Sequence, residues 1–179
     1  MDGELHALNV LAWRHDALGD PVELYATAGG EVVFALVVAA LLIAGVRHRR
    51  ALLAGLTALA AAGCALVAAG ALSALIHRPR PFVADPAHVH LLVAHARDPG
   101  FPSDHATAAF AIATVVYRYD RRAGAAALAA AALLALARVV VGVHYLGDVL
   151  GGAALGIAAA IVVSGLVERR FAAPAPLVA

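Results

Sequence analysis

The sequence has no lysine, one cysteine and few charged residues of any kind. All 13 basic residues of the 179-residue chain are arginine, so any cationic site must use guanidinium groups. The single cysteine, Cys64, excludes a disulfide framework. Because Cys64 lies inside an apolar run, we interpret it as a small buried hydrophobic residue. The formal net charge of +1 gives no case for a nucleic-acid partner, and we predict none.

The shortage of charge indicates the class of protein. Charged residues make up 14% of the chain and hydrophobic residues 63%, whereas a soluble domain is roughly a quarter charged and about half apolar. The segment Ala51–Ile76 contains no charged residue. As a helix it is long enough to cross a bilayer core about 30 Å thick. The composition therefore predicts an integral-membrane protein.

Five apolar stretches are candidates for membrane spans. They are Val32–Val46, Ala51–Ile76, Ala106–Tyr117, Ala123–Val141 and Val149–Leu166. Alanine dominates them, and small side chains let helices approach closely in lipid. We predict a single domain over residues 1–179 that is all-α, a membrane-embedded bundle of about five spanning helices with an additional N-terminal interfacial helix.

The two ends of the chain differ from the spans. Residues 1–20 mix leucines with charged residues, an amphipathic pattern that predicts a helix at the membrane surface. They lack the basic start and apolar core of a cleavable signal peptide. The segment 171–179 contains two prolines and is predicted to be a flexible tail.

Arginines follow alternate spans, which places them on one face of a five-span bundle. The clusters are Arg47, Arg49 and Arg50, then Arg118, Arg121 and Arg122, then Arg169 and Arg170. The positive-inside rule makes this face cytoplasmic. The opposite face, predicted to be extracytoplasmic, carries the loop 77–101 and the turn 141–148.

Two polar segments on that opposite face flank the long loop. The first, His77–Phe82 (HRPRPF), follows the second span, and its prolines end the helix. Its arginines are either anion ligands or interfacial anchors. The second begins the third span, where Ser103 or Asp104 can cap the helix. The same helix start can bind an anion, and His105 could exchange a proton with a bound phosphate ester.

The third polar segment joins the last two spans. His144 and Asp148 are four residues apart and share a face if helical. A carboxylate on one ring nitrogen leaves the other nitrogen free to attack. Gly142 permits a helix end between Arg138 and His144. The alternative is an ion pair that joins two helices, but ionisable groups at membrane depth are usually functional.

Taken in order, Arg-Pro, Pro-Ser-x-His and Arg-x5-His-x3-Asp resemble the motifs of the type 2 phosphatidic acid phosphatase (PAP2) superfamily. The motifs extend from about Ser73 to Gly152, and the third is the most specific. Within the superfamily, three runs look like the bacitracin-resistance type of bacterial undecaprenyl pyrophosphate phosphatase: Arg80–Val83, Phe101–Ala108 and His144–Gly151.

Three positions depart from the general family pattern. Ser73 stands where the family has a lysine, Asp104 stands where it has a glycine, and Ala137 stands where it has a serine. Members of the undecaprenyl branch can share the first two differences.

The resemblance implies a hydrolase that removes the terminal phosphate of undecaprenyl pyrophosphate, without a metal, to recycle the lipid carrier of peptidoglycan synthesis. It implies that His144 forms a phosphohistidine, that Asp148 orients His144, and that His105 is the general acid and base. The implied phosphate ligands are Arg80, Ser103, Asp104, Arg138 and Arg78. The implied location is the bacterial inner membrane, with the site on the extracytoplasmic side.

Other functions are compatible with parts of the sequence. A phosphatidic acid or phosphatidylglycerol phosphate phosphatase would have a similar pocket. The loop residues Asp85, His88, His90, His95 and Asp98 could bind a metal, but their spacing matches no recognised closed set, and we predict no metal and no cofactor. A transporter would need polar residues along the spans, which are nearly bare. A non-catalytic scaffold is disfavoured by the complete set of motif residues.

Overall fold

The computed structural model describes residues 3–171, and every regular element in that range is helical. The helices are α1 (Gly3–Arg14), α2 (Asp16–Leu24), α3 (Gly30–Gly45), α4 (Arg49–Ile76), α5 (Pro81–Ala84), α6 (Asp104–Tyr119), α7 (Arg121–Val140) and α8 (Leu146–Phe171). A π-helical turn, Tyr25–Gly29, joins α2 to α3 with a kink at Thr27. The all-α prediction is confirmed. All but the first residue of the predicted tail, 171–179, lies outside the described residues.

Four helical runs in the described range are long and apolar enough to cross a membrane. They are Asp16–Gly45, Arg49–Ala84, Arg121–Val140 and Leu146–Arg170. The remaining predicted span forms α6, which has 16 residues and so extends only about 24 Å at the usual rise of an α-helix. Because α6 packs against α4, α7 and α8 in the centre of the bundle, it need not match the full thickness of the lipid.

Small side chains bring α8 close to α6. A Cβ added to Gly156 would overlap the carbonyl oxygen of Thr107, and one added to Gly152 would lie 2.6 Å from that of Ser103. Fully buried alanines fill much of the surrounding core, including Ala61, Ala65, Ala111, Ala113 and Ala131. This approach holds the starts of α6 and α8 side by side.

The ends of the helices bring the polar segments to one end of the bundle. α4 ends at His77, whose φ of 46° is left-handed. Arg80 is extended and leads into Pro81, the first residue of α5. α7 ends before Gly142, whose φ of +83° suits glycine. The predicted helix end at Gly142 is confirmed, and it turns the chain back toward His144.

Helix α1 packs against the loop that follows α5. The fully buried Asn9 donates to the carbonyl oxygens of His90 at 2.8 Å and Val140 at 2.6 Å. Trp13 stacks on the ring of His90 with 3.9 Å between the ring centroids. The N-terminal helix therefore braces this loop. That residues 1–20 rest at the membrane surface stays a prediction.

The interpretation of Cys64 as a buried residue is wrong. Cys64 lies on the exposed outer face of α4. In a membrane bundle the lipid-facing surface is as apolar as the interior, so an apolar sequence neighbourhood does not distinguish the two positions.

Candidate active site

The three polar segments of the sequence are joined by backbone hydrogen bonds at one end of the bundle. The N–H of Ser103, at the start of α6, donates to the carbonyl oxygen of Asp148 in α8 at 3.0 Å. The N–H of Gly100 donates to the carbonyl oxygen of Arg78 at 2.8 Å. The loop before α6 is thereby tied both to the residues after α4 and to the first turn of α8.

Arg80 lies at the centre of this cluster and is 6% exposed. Its Nε donates to the Asp98 carboxylate at 3.1 Å, and its Nη2 donates to the same carboxylate at 3.2 Å and to the carbonyl oxygen of Pro99 at 3.4 Å. Its Nη1 donates to the carbonyl oxygen of Val143 at 3.2 Å and lies 3.1 Å from His144 Nε2. One edge of the guanidinium therefore holds Asp98, while the other faces the imidazole.

His144 is 2% exposed and is held through both ring nitrogens. Its Nδ1 lies 2.9 Å from the carbonyl oxygen of Gly100. A carbonyl only accepts, so Nδ1 carries the hydrogen and Nε2 carries the lone pair that faces Arg80. Burial lowers the pKa of His144; the neighbouring Asp148 carboxylate opposes this shift, and the charges of Arg80 and Arg138 add to it. Burial thus favours the neutral imidazole, whose Nε2 lone pair faces Arg80.

Asp148 is fully buried, and its carboxylate has three neighbours. Oδ1 accepts from Arg78 at 2.9 Å, and Oδ2 accepts from the N–H of Tyr145 at 2.8 Å. Oδ2 lies 3.7 Å from His144 Nδ1, farther than the carbonyl oxygen of Gly100. Asp148 therefore supplies negative charge beside His144, while Gly100 provides the nearer acceptor.

Two of the predicted phosphate ligands have unexpected partners. Arg78 pairs with Asp148 and also stacks over the ring of Tyr145 at 4.4 Å. Arg138 is 2% exposed, and its Nη1 donates to the carbonyl oxygen of Ala26 at 2.8 Å. The Nε of Arg138 is buried and has no hydrogen-bond partner in the protein. A buried donor without a partner is costly, so this N–H is suited to an incoming anion.

The start of α6 contributes the remaining predicted residues. Ser103 is fully buried, and its hydroxyl accepts from the N–H of Ala106 at 3.5 Å as the helix cap. Asp104 is exposed in the first helical turn. His105 forms no direct hydrogen bond with Arg80 or His144; its Nε2 lies 3.2 Å from the carboxylate of Glu31 at the start of α3.

Reasoning from the sequence missed three residues that contact the predicted site residues: Asp98, Gly100 and Glu31. Burial raises the pKa of Asp98, but the hydrogen bonds and charge of Arg80 outweigh burial and hold the pKa below its usual value. Gly100 acts through its backbone, which no side-chain motif reveals. Glu31 had one available signal: it is a carboxylate at the start of a span on the face that carries the motifs.

The loop residues that could have formed a metal site are engaged elsewhere. His88 pairs with Asp85 at 2.8 Å, His90 stacks on Trp13, and Asp98 holds Arg80. Within residues 3–171, no group of three or more His, Cys, Asp or Glu side chains is arranged to hold a metal ion.

Sequence comparison identifies relatives of the chain. Residues 51–172 match the PAP2 superfamily. The chain is 34% identical to "Undecaprenyl-diphosphatase BcrC" of Bacillus subtilis over 146 residues, which cover 80% of this chain and 72% of that protein. It is 36% identical to "Bacitracin transport permease protein BcrC" of Bacillus licheniformis over 84 residues, 47% of this chain and 41% of that protein.

Structural comparison gives the same result for the fold. LpxE of Aquifex aeolicus superposes with a TM-score of 0.73 at 26% identity, over 90% of this chain and 92% of that one. A transmembrane PAP2-type phosphatidylglycerolphosphate phosphatase from Bacillus subtilis gives a TM-score of 0.63 at 24% identity, over 94% and 87% of the two chains. The matched residues include all three polar segments of the site, and the chain belongs to the PAP2 superfamily of membrane phosphatases.

Proposed function

We propose that the protein hydrolyses the terminal phosphate of undecaprenyl pyrophosphate through a phosphohistidine, without a metal. The arrangement of His144 carries this proposal: the residue is buried and neutral, and its Nε2 faces the buried guanidinium of Arg80 at 3.1 Å. The name of the Bacillus subtilis relative supports the choice of lipid substrate.

In the first step, His144 Nε2 attacks the terminal phosphorus. The N–P bond forms as the bond from phosphorus to the bridging oxygen breaks, and undecaprenyl phosphate leaves. Arg80 Nη1, released from its contact with Nε2, then donates to a phosphoryl oxygen. Stabilising charge on these oxygens is the main task in phosphoryl transfer.

His105 is the proposed general acid, and it donates its proton to the leaving lipid phosphate. In the second step His105 removes a proton from water, which attacks phosphorus; the N–P bond breaks, and inorganic phosphate leaves with His144 restored. Glu31 Oε1 lies 3.2 Å from His105 Nε2 and can orient the ring for this role. Burial and the charge of Arg138 lower the pKa of His105 to about 4, so a proton on this ring is readily given up.

The remaining oxygens of the substrate would be held by donors that the cluster already contains. The unpaired Nε of Arg138, the Ser103 hydroxyl and the backbone N–H groups near Asp104 all belong to this end of the bundle. The Arg78 side chain is 40% exposed, so it can also reach a second phosphate while it pairs with Asp148. Arginines supply the positive charge that divalent ions supply in other phosphatases.

The direct test is phosphate release from undecaprenyl pyrophosphate by the detergent-purified protein in EDTA, beside His144→Ala. We expect release by the wild type and none by the variant, and acid-labile phosphate trapped on the wild type only. Activity that is lost in EDTA and restored by a metal would contradict metal independence. Faster turnover of phosphatidic acid or phosphatidylglycerol phosphate in the same assay would reassign the substrate.

The proposed orientation places the site on the extracytoplasmic side of the inner membrane. Ala87 is exposed in the loop between α5 and α6, so Ala87→Cys in a Cys64→Ser background gives a single reporter thiol. We expect a membrane-impermeant thiol reagent to label it in intact cells. Labelling only after lysis would reverse the orientation.

Transport is a candidate function of another class, and the name of the Bacillus licheniformis relative includes it. A transport path needs polar side chains inside the spans. In α4 the hydroxyl of Thr57 is already bonded to the carbonyl oxygen of Leu53 at 2.6 Å, and Cys64 faces outward. These positions favour the enzyme.

A further inference from the structure

The segment Asp98–Gly100, outside the motifs of the family, contacts two side chains of the proposed site, Arg80 and His144. Asp98 and Pro99 bind the guanidinium of Arg80, and the carbonyl oxygen of Gly100 binds His144 Nδ1. The N–H of Gly100 is bonded to the carbonyl oxygen of Arg78. The segment is therefore fixed in place before any substrate arrives.

The two edges of the Arg80 guanidinium bind different partners. Asp98 uses Nε and Nη2, in the two-point geometry that arginine forms with carboxylates. Asp98 does not bind Nη1. That nitrogen donates to the carbonyl oxygen of Val143 and lies 3.1 Å from His144 Nε2. A phosphoryl group that meets Nε2 can thus reach Nη1 without displacing Asp98.

We propose that Asp98 is a positioning residue for phosphoryl transfer: its carboxylate holds the guanidinium plane of Arg80 so that Nη1 stays beside the attacking nitrogen of His144. This inference rests on the proposed function of His144 as the nucleophile. Asp98 acts through Arg80 and does not touch the substrate.

The exposure of Asp98 also allows the opposite hypothesis, in which Asp98 hinders substrate binding. The Asp98 carboxylate is 54% exposed, so it could instead compete with substrate for Arg80 and leave when phosphate binds. A competitor slows binding, and its removal raises kcat/KM. A positioning residue aligns a charge in the transition state, and its removal lowers kcat. The two hypotheses therefore predict changes of opposite sign.

The test compares Asp98→Asn with Asp98→Glu and with the control Asp85→Asn. Asp98→Asn keeps the shape but removes the charge, and Asp98→Glu restores the charge at a slightly different reach. Asp85 is an exposed carboxylate in the same loop that pairs with His88, so its variant controls for loss of negative charge there. Each variant is assayed for kcat and KM on the lipid phosphate that the wild type hydrolyses fastest.

We expect Asp98→Asn to lower kcat roughly 10- to 100-fold, the range for loss of a hydrogen bond between charged groups, with a smaller change in KM. Asp98→Glu should recover part of the loss, and Asp85→Asn should match the wild type. Stabilisation of the protein by orthovanadate, measured as the shift in unfolding temperature, should also fall in Asp98→Asn.

Three results would overturn the inference: unchanged kcat in Asp98→Asn, a higher kcat/KM, or a loss explained entirely by a smaller folded fraction. The proposed function is tested separately. If undecaprenyl pyrophosphate is not the preferred substrate, the Asp98 comparison is made on the preferred one. If His144→Ala keeps its activity, the nucleophile assignment fails, whereas the orthovanadate shift still reports whether Asp98 aligns Arg80 for an anion.

Discussion

Each end of the bundle contains an arginine–carboxylate pair, but the two pairs have different surroundings. At the site, Arg80 and Asp98 approach to 3.1 Å, and the arginine side chain is 6% exposed. At the other end, Arg118 and Glu168 approach to 2.6 Å, with side chains 38% and 63% exposed. The shorter pair is the weaker constraint, because water screens exposed ion pairs and their long side chains lose entropy when fixed.

The Arg80–Asp98 pair differs from the Arg118–Glu168 pair in the number of partners that hold its arginine rather than in the length of any contact. Arg80 is held by Asp98 and by the carbonyl oxygens of Pro99 and Val143. Such a network fixes the plane of the guanidinium, and burial strengthens each bond in it. The comparison therefore predicts that changes at the two ends will have very different consequences.

The largest expected difference is between Arg138→Ala and Arg118→Ala. Arg138 is buried with an unpaired Nε at the site, and loss of one preorganised donor to a transition state typically lowers kcat by about 10²- to 10³-fold. Arg118 belongs to the exposed pair, and its variant should keep full activity. The measurement is phosphate release per folded molecule. Equal losses in both variants would show that the comparison of the two ends is wrong.

A second contrast concerns packing rather than charge. Gly156→Ala places a methyl group in overlap with the carbonyl oxygen of Thr107, whereas a Cβ at Gly63 meets no heavy atom within 4 Å. Overpacking of this kind costs about 1–3 kcal/mol, and it would separate α6 from α8 beneath the site. We expect Gly156→Ala to lower both the unfolding temperature in detergent and the activity.

Gly63→Ala is the matched control for this change. It adds the same methyl group to another helix, and alanine is the better helix former by about 1 kcal/mol. We therefore expect an unfolding temperature equal to or slightly above that of the wild type. If both glycine variants unfold at the same temperature, close packing of α6 on α8 does not limit stability.

Much of the fold and part of the site could be predicted from the sequence. Apolar runs were sufficient to place the helices, because lipid requires long uncharged segments. They were not sufficient to orient them: Cys64 faces outward, since outer and inner faces are equally apolar in a membrane. The alternation of the spans was enough to group Arg80, His144 and Asp148 on one face.

The sequence was not sufficient to show how these side chains are held. The acceptor nearest to His144 Nδ1 is the backbone carbonyl of Gly100, and a backbone atom is the same in every residue type. Asp98 is one of two carboxylates in the loop, and only the folded chain distinguishes it from Asp85. Orienting contacts of this kind depend on three-dimensional position and leave little signal in the sequence.

A smaller effect is expected in the dependence of activity on pH. Burial, opposed by the neighbouring Asp148 carboxylate, lowers the pKa of His144, and only the neutral imidazole can attack. Activity is therefore present above this pKa and is lost as the pH falls through it. The acid limb of kcat/KM should lie below about 6.5, the ordinary value for histidine. Asp148→Asn should move the limb still lower, whereas a limb set by substrate ionisation would not move.

The smallest effect should come from Glu168→Gln at the far end of the bundle. It removes the charge partner of Arg118 while the side chain keeps its size, and exposed pairs contribute roughly 0–1 kcal/mol. The unfolding temperature should therefore change little, and added salt should reduce the difference further because ions screen exposed charges. Turnover should equal that of the wild type. A loss of activity as large as that of Asp98→Asn would mean that the two ends of the bundle are coupled through α8. The site could then no longer be treated as independent of the far end.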